Sequence, residues 1–382
     1  MASVPEVPAE LAARIERFGS VRFDEYQDLA LYGPDGFYER GGRAGRRGDF
    51  LTSPETGPLF GALVARYLDE VWRDLGEPDP FTVLDVGAGP GTLAKAVERA
   101  APACSGALTY VLVERSAAQR ALHPRHLALT APEQAFPPEH DDGEDVPGVA
   151  APDRGRGPRL VSLAELPQVP VRGVVFANEL LDNVATRLLQ RAPDGWDEVR
   201  VTLVDGVPSE VLVPADDAAS AWADRTVGDD VGSGARLPYQ EGAARWLRHA
   251  LELLQAGRVL VVDYTATTPA LAQRPVGQWL RTYRGHARGG SPLDAPGQQD
   301  LTVEVCADQL AAVRAPHRTT TQAAWLAGLG IDSLVEDGRR IWHERAHIGD
   351  LAAVAARSRV GEAEALLDTD GLGAFGVLEW RV

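Results

Sequence analysis

The stretch VLDVGAGPG, Val83 to Gly91, constrains the fold of this chain more than any other. An apolar run from Phe81 to Val86 reads as a buried strand. Three glycines then turn the chain, and Leu93 to Ala100 has the helical period. A second strand reads at Leu108 to Val113 and a short helix at Ala117 to Leu122. This strand–helix alternation predicts a parallel sheet covered by helices, because a parallel crossover must return over a sheet face. Val171 to Ala177 resumes the sheet, and Gly257 to Asp263 adds another buried strand.

The spacing of the glycines selects the ligand. Glycine admits positive φ, lets a ligand approach the backbone closely, and opens onto the amides of a helix N-terminus. A dinucleotide fingerprint is G-x-G-x-x-G/A. Here the third glycine, after Gly87 and Gly89, comes one residue early, at Gly91. G-x-G-x-G with an acid two residues before it, Asp85, is the pattern of S-adenosylmethionine (SAM) methyltransferases. No G-K-[ST] follows, which excludes a Walker-type phosphate loop. Glu114 closes the second strand, 23 residues after Gly91, where a carboxylate can accept from both ribose hydroxyls. Asp85 is assigned to the cofactor's amino-acid end.

FANELLDN, Phe176 to Asn183, ends the fourth strand of such a sheet with two carboxylates and two amides. Ligands of doubly wound sheets bind at the carboxyl ends of strands. Methyl transfer from a sulfonium needs in-line positioning of an acceptor lone pair. For a guanidinium it also needs carboxylates that match a planar fork and accept a proton. Glu179 and Asp182 suit both tasks, and Asn178 suits holding substrate or cofactor. The competing reading is that Asn178, Asp182 and Asn183 cap a following helix.

Elsewhere, Leu11, Ile15 and Phe18 fit one face of an N-terminal helix, Phe23 to Leu31 a second and Gly57 to Leu75 a third. Residues 31 to 55, rich in Gly and Arg, read as a long ordered or mobile loop, with Arg43, Arg46 and Arg47 as its flank. Residues 131 to 158, rich in Pro, Asp and Gly, read as a disordered or poorly packed insertion. Glu198 to Leu203 and Glu210 to Val213 form a hairpin, Tyr239 to Leu254 a helix, and 265 to 300 a Gly/Pro/Arg-rich excursion. Helices follow near Val305 to Val313 and Thr321 to Leu329, and GAFGVLEW gives a last strand. The domain reading is 1–76 a helical cap with a cofactor-covering loop; 77–265 the core, carrying the insertion 131–158 and the hairpin 196–214; 266–345 substrate-pocket loops and helices; and 346–382 a C-terminal helix and strand.

The net charge of -17 argues against a nucleic-acid partner and is compatible with a cationic one. Cys104 and Cys306 lie far apart and give no zinc spacing or disulfide framework. No run approaches the roughly 18 apolar residues of a membrane span, so the expected setting is soluble and cytoplasmic.

Several motifs together resemble the MidA family of SAM-dependent methyltransferase-like proteins, which includes the mitochondrial complex I assembly methyltransferase. GDFLTSPE (Gly48 to Glu55) with Phe60–Gly61, VLDVGAGPGTL, Glu114 with Ser116 and Gln119, Asn178-Glu179-x-x-Asp182, VVDYT and Arg281 to Val305 carry the likeness along nearly the whole chain. The resemblance implies an α/β fold, a class I SAM-methyltransferase Rossmann-like doubly wound sheet with helical N-terminal and β-hairpin/helical insertions. It implies SAM contacts from Thr52, Ser53, Pro54 and Glu55, and N-methylation of arginine on a protein. The chain departs from the family at Asp85, Pro90 and Lys95, and at Asn183-Val184-Ala185, where A-L-P is usual.

The expected activity is transfer of a methyl group to nitrogen, with a cationic protein or peptide as acceptor. Small-molecule N- or O-methylation, a non-catalytic SAM-binding assembly role and an NAD(P)-linked oxidoreductase are the alternatives. His286 is a candidate base, Asp300 a pocket residue, Arg284 and Arg288 partners for acids, and Tyr38 and Phe50 either cover for the adenine or packing. The sequence leaves the oligomeric state open, a homodimer included.

Overall fold

The computed structural model describes residues 7–42, 52–136, 155–228, 231–285 and 287–382. The chain divides into two compact units, and it crosses between them after Phe50, Asn178, His249, Val262 and Ala315.

The unit made of 51–178, 250–262 and 316–382 carries a seven-stranded sheet. Its strands are β1 (Phe81–Val86), β2 (Leu108–Val113), β3 (Arg159–Leu163), β4 (Val171–Asn178), β5 (Leu254–Asp263), β6 (Arg318–Thr321) and β7 (Gly376–Arg381). The spatial order is β3-β2-β1-β4-β5-β7-β6. The first five are parallel, and β6 and β7 run antiparallel to each other. Every residue of β1 and β2 is buried, which explains their unbroken apolar character. The order reverses between β1 and β4, the topological switch point of a doubly wound sheet. The helix Pro58–Asp74 buries Leu59, Leu63, Tyr67 and Val71 at spacings of four. Gly61 lets it cross close to the helix Thr92–Ala100, since a Cβ there would overlap Ala96.

The unit made of 1–50, 179–249 and 263–315 has a different sheet. Arg187–Ala192, Gly195–Val204 and Val207–Pro214 pair antiparallel, flanked by Arg236–Tyr239 and the short Val21–Arg22. The helices Ala9–Phe18 and Phe23–Tyr32 pack into its core with Trp279, Leu280, Leu301 and Val303. Leu280–Arg284, Ala287–Arg288 and Asp300–Val303 form a three-stranded sheet.

Three elements of the sequence reading need correction. Phe18 is 63% exposed rather than core, with the Arg17 guanidinium 4.9 Å above its ring. Tyr239 ends a strand, and the helix runs Glu241–Leu253. The excursion 265–300 holds strands and the helix Thr268–Ala272, because tertiary pairing rather than local propensity orders it. Of the insertion, 137–154 lie outside the described residues. Its flanks carry a short helix, Pro132–Ala135, and lead directly into β3. No described helix is long and apolar enough to cross a membrane.

Candidate active site

Gly87, Gly89 and Gly91 sit at φ of 76°, 53° and 85°, all left-handed. They are not equivalent. A Cβ on Gly91 would meet Leu112 at 3.0 Å and Leu127 at 3.1 Å, so this glycine packs. A Cβ on Gly89 would meet nothing within 4 Å, so the turn opens onto free space there. The turn is fastened to β2. The N–H groups of Gly87 and Ala88 donate to the Val113 carbonyl at 2.8 and 3.2 Å. The buried Glu114 carboxylate accepts the N–H of Gly89 and of Ser116, each at 2.8 Å. A carboxylate offers about four lone-pair positions, so Glu114 can hold this turn and still accept a ribose hydroxyl.

Asp85, near the end of β1, is buried and accepts the Tyr110 hydroxyl at 2.9 Å. Burial pushes its carboxyl up to about 7; the Tyr110 bond opposes the rise and Glu114 adds to it. A cationic amino group arriving beside it would restore its ionisation. An open glycine at 89, a buried acid at 85 and a ribose-type acid at 114 suit SAM, a cationic adenosyl amino acid. Asp85 lies on β1, Gly89 in the turn that follows it, and Glu114 directly after the adjacent parallel strand β2.

The Thr52–Glu55 segment is anchored in the same unit. Thr52 precedes the short helix Ser53–Thr56, which has Pro54 in its first turn. The Ser53 hydroxyl donates to Gln322 at 2.9 Å. Glu55 accepts the Thr92 hydroxyl at 2.5 Å, which ties the segment to the first residue of the helix that leaves the glycine turn. Phe50 and the three arginines at 43, 46 and 47 lie outside the described residues, as does His286.

The acid–amide sequence straddles the division between the units. Asn178 is the last residue of β4, and Glu179 follows in a left-handed conformation, φ 50°. For a non-glycine residue this backbone is uncommon, and it often marks a functional position. The expected capped helix is a single 3-10 turn, Leu181–Asn183. Asp263 organises that turn: one oxygen accepts the N–H of Leu181 at 2.9 Å and of Asp182 at 3.3 Å, the other that of Tyr264 at 2.8 Å. Asp300 is also fully buried. It accepts the Asn183 amide and the Tyr38 hydroxyl, each at 3.1 Å. Asn183 is therefore bound to this cluster, with a second bond to the Leu301 carbonyl at 3.0 Å. Tyr38 belongs to the acid cluster, in the unit that does not hold the glycine turn.

Asp182 is 4% exposed, and its Oδ1 has no hydrogen-bond partner among the described residues. Burial, then Asp263 and Asp300, holds its carboxyl well above the usual carboxylate range; the Asn183 amide and Arg281 pull weakly the other way. Arg281 is already bonded to Glu304 and to the Gln278 carbonyl. Burial and the neighbouring Glu179 push Asp263 up to about 8. Three buried acids therefore share one small volume with little compensating charge, an arrangement that favours a bound cation. Among the described residues, no group of His, Cys, Asp and Glu is arranged to hold a metal ion. Arg284 and Arg288 do not pair with acids as expected; both are exposed and donate to Gln298 and to the Gly277 carbonyl.

Sequence reasoning missed Asp263 as the organiser of the 181–182 turn, because a strand-terminal Asp looks like any polar strand end. It also missed Tyr110, hidden in an apolar strand, and His123. The His123 ring is fully buried and bridges the Gly89 carbonyl and the Ser162 hydroxyl, each at 2.8 Å.

The chain matches, over residues 63–323, the family model described as "Putative S-adenosyl-L-methionine-dependent methyltransferase". It is 28% identical over 319 residues to the Drosophila melanogaster protein arginine methyltransferase NDUFAF7 homolog, mitochondrial, covering 78% of this chain and 67% of that one. It is 28% identical over 310 residues to the Homo sapiens protein arginine methyltransferase NDUFAF7, mitochondrial, covering 77% and 66%. The chain thus spans about two thirds of the length of these relatives. A Burkholderia thailandensis protein whose crystal structure holds S-adenosyl-homocysteine superposes with a TM-score of 0.79 at 25% identity, covering 100% of this chain and 95% of that one. The chain belongs to this family of S-adenosyl-L-methionine-dependent methyltransferases.

Proposed function

We propose that this methyltransferase delivers its methyl group to a nitrogen of a cationic acceptor, an arginine guanidinium on a protein or peptide. The observation that carries this reading is the trio Asp182, Asp263 and Asp300, buried together with one oxygen of Asp182 unpartnered among the described residues. The arginine methyltransferase names of the relatives support it.

The cofactor supplies an electrophilic methyl on a sulfonium. In this reading Gly87, Gly89 and Gly91 admit it close to the backbone, Asp85 faces its amino group, and Glu114 accepts its ribose hydroxyls. Thr52, Ser53, Pro54 and Glu55 complete its surroundings. Glu179 and Asp182 hold the acceptor, with Asn178 as an amide partner and His286 as a further base. A guanidinium arriving in the cluster offsets the burial and the repulsion that raise the pKa of Asp182. Asp182 then releases any proton it holds to solvent, and its Oδ1 takes the proton that the acceptor nitrogen sheds on methylation.

Both cysteines are buried free thiols, which supports a reducing, cytoplasmic setting, although the relatives' names say mitochondrial. The test uses purified protein, methyl-tritiated SAM and a lysate of the source cell lacking this gene. The expected result is label in one protein band, lost with Glu179→Gln while SAM affinity stays within a few-fold. Label confined to small molecules would replace the protein acceptor with a metabolite.

A further inference from the structure

We propose that His123 is a positioning residue for the cofactor turn: it fixes the Gly89 peptide so that the turn stands open for S-adenosylmethionine before the cofactor arrives. This inference rests on cofactor use alone and is independent of what the acceptor is.

The Gly89 peptide unit is gripped at both of its polar groups. Its N–H donates to Glu114 at 2.8 Å, and its C=O receives His123 Nε2 at 2.8 Å. A carbonyl can only accept, so Nε2 carries the proton. Neutral imidazole then has a lone pair on Nδ1, which lies 2.8 Å from Ser162 Oγ, so the serine hydroxyl donates to it. The Gly89 carbonyl therefore fixes the tautomer, and Ser162 on β3 satisfies the remaining ring nitrogen and holds the ring in place. The next carbonyl of the turn, Pro90 O, lies 3.1 Å from His126 Nε2. Two histidines of one short segment thus hold consecutive carbonyls of the turn.

Gly89 needs this support. It has no side chain, its φ of 53° is left-handed, and nothing packs where its Cβ would be. Leu112 and Leu127 crowd the position of a Gly91 Cβ, whereas among the described residues nothing fills that position at Gly89, whose peptide groups bond Glu114 and His123. Without the His123 bond, the open peptide would sample other orientations, and the cofactor would have to order it on binding.

The test compares three variants, with S-adenosylhomocysteine as the probe. His123→Leu keeps bulk and removes both bonds. His123→Gln keeps a donor of similar reach. Ser162→Ala leaves the donor to Gly89 but removes the bond that anchors the other ring nitrogen. The dissociation constant is read by calorimetry, and the exchange of the 87–91 amides by hydrogen–deuterium exchange of the cofactor-free protein. Loss of one buried hydrogen bond predicts about tenfold weaker binding in His123→Leu, about threefold in Ser162→Ala, and near-complete rescue in His123→Gln. Amide exchange in the turn should speed up in the same order. A folded His123→Leu with affinity within twofold of the parent overturns the proposal. So do equal losses in His123→Leu and His123→Gln, which would indicate packing alone. Should His123→Leu not fold, unchanged affinity and exchange in Ser162→Ala overturn it, and the expected threefold loss with faster exchange supports it.

Discussion

Asp263 accepts the backbone N–H of Leu181 at 2.9 Å, and through this bond the last residue of β5 fixes the turn that presents Asp182. The same carboxylate takes two further amides, from Asp182 and Tyr264. An asparagine there keeps one acceptor oxygen and turns an NH2 group toward amides that need an acceptor. Asp263→Asn is therefore expected to lower methyl transfer by about a hundredfold or more, through misplacement of the turn. Its affinity for S-adenosylhomocysteine should stay within a few-fold, because Asp263 belongs to the other unit from the glycine turn. Single-turnover transfer and calorimetry on the same preparation check this; a Kd loss that matches the rate loss would count against it.

The buried acids set the direction of the pH dependence of stability. Asp182 and Asp263 have folded pKa values above the unfolded value of about 3.9, Asp263 at about 8, and Asp85 shares the direction at about 7. The folded protein then binds more protons than the unfolded chain. The associated stability is fully present below about pH 4 and is lost as pH rises towards about 8. The cofactor-free protein should have a lower Tm at pH 8.5 than at pH 6.5, and Asp182→Asn should flatten that slope. His123 acts in the opposite sense: burial lowers its pKa, so its contribution is present above about 6.5 and is lost as pH falls. Thermal melts of both proteins across this range decide the point; parallel slopes would exclude a dominant role for Asp182.

Two glycines of one turn should fail differently. Gly91→Ala meets Leu112 and Leu127 at an unfavourable φ, so it should cost about 1–3 kcal/mol in global stability. Gly89→Ala projects into open space and should cost about 1 kcal/mol from its backbone conformation alone. It should nevertheless weaken S-adenosylhomocysteine at least as much as Gly91→Ala does, because its methyl would occupy the approach face. Chemical denaturation and calorimetry on the pair separate the two effects.

Arg187 is a structural charge of the other unit. It bonds Glu198 at 2.7 Å, with both side chains 9% exposed, and reaches Asp216 and Glu241 nearer solvent. Removing it leaves Glu198 buried without its partner, so Arg187→Ala should destabilise by about 3–5 kcal/mol. Glu198→Gln should cost about half as much, since Arg187 keeps its two other acids. Equal losses in denaturant titrations would be inconsistent with this account.

The sequence by itself determined the cofactor half of this protein. Val83 to Gly91 and Glu114 stand where the spacing placed them, because a strand, a tight turn and a helix start are local events written in adjacent residues. The run at Val171 to Ala177 was legible as a nearly continuous apolar strand, and the hairpin and the helix through Leu59 to Val71 through their two- and 3.6-residue periods. Only the tertiary structure decided the buried acid cluster. Asp182, Asp263 and Asp300 are separated by many tens of residues and meet only through the fold, so no local pattern joins them. Burial and their mutual proximity raise the pKa values of Asp182 and Asp263, since the same carboxyls in water would be ordinary anions. His123 was illegible for a related reason. Its contacts are to the Gly89 carbonyl and Ser162, and they are set by the packing of its segment against the glycine turn and β3 rather than by its neighbours in the chain.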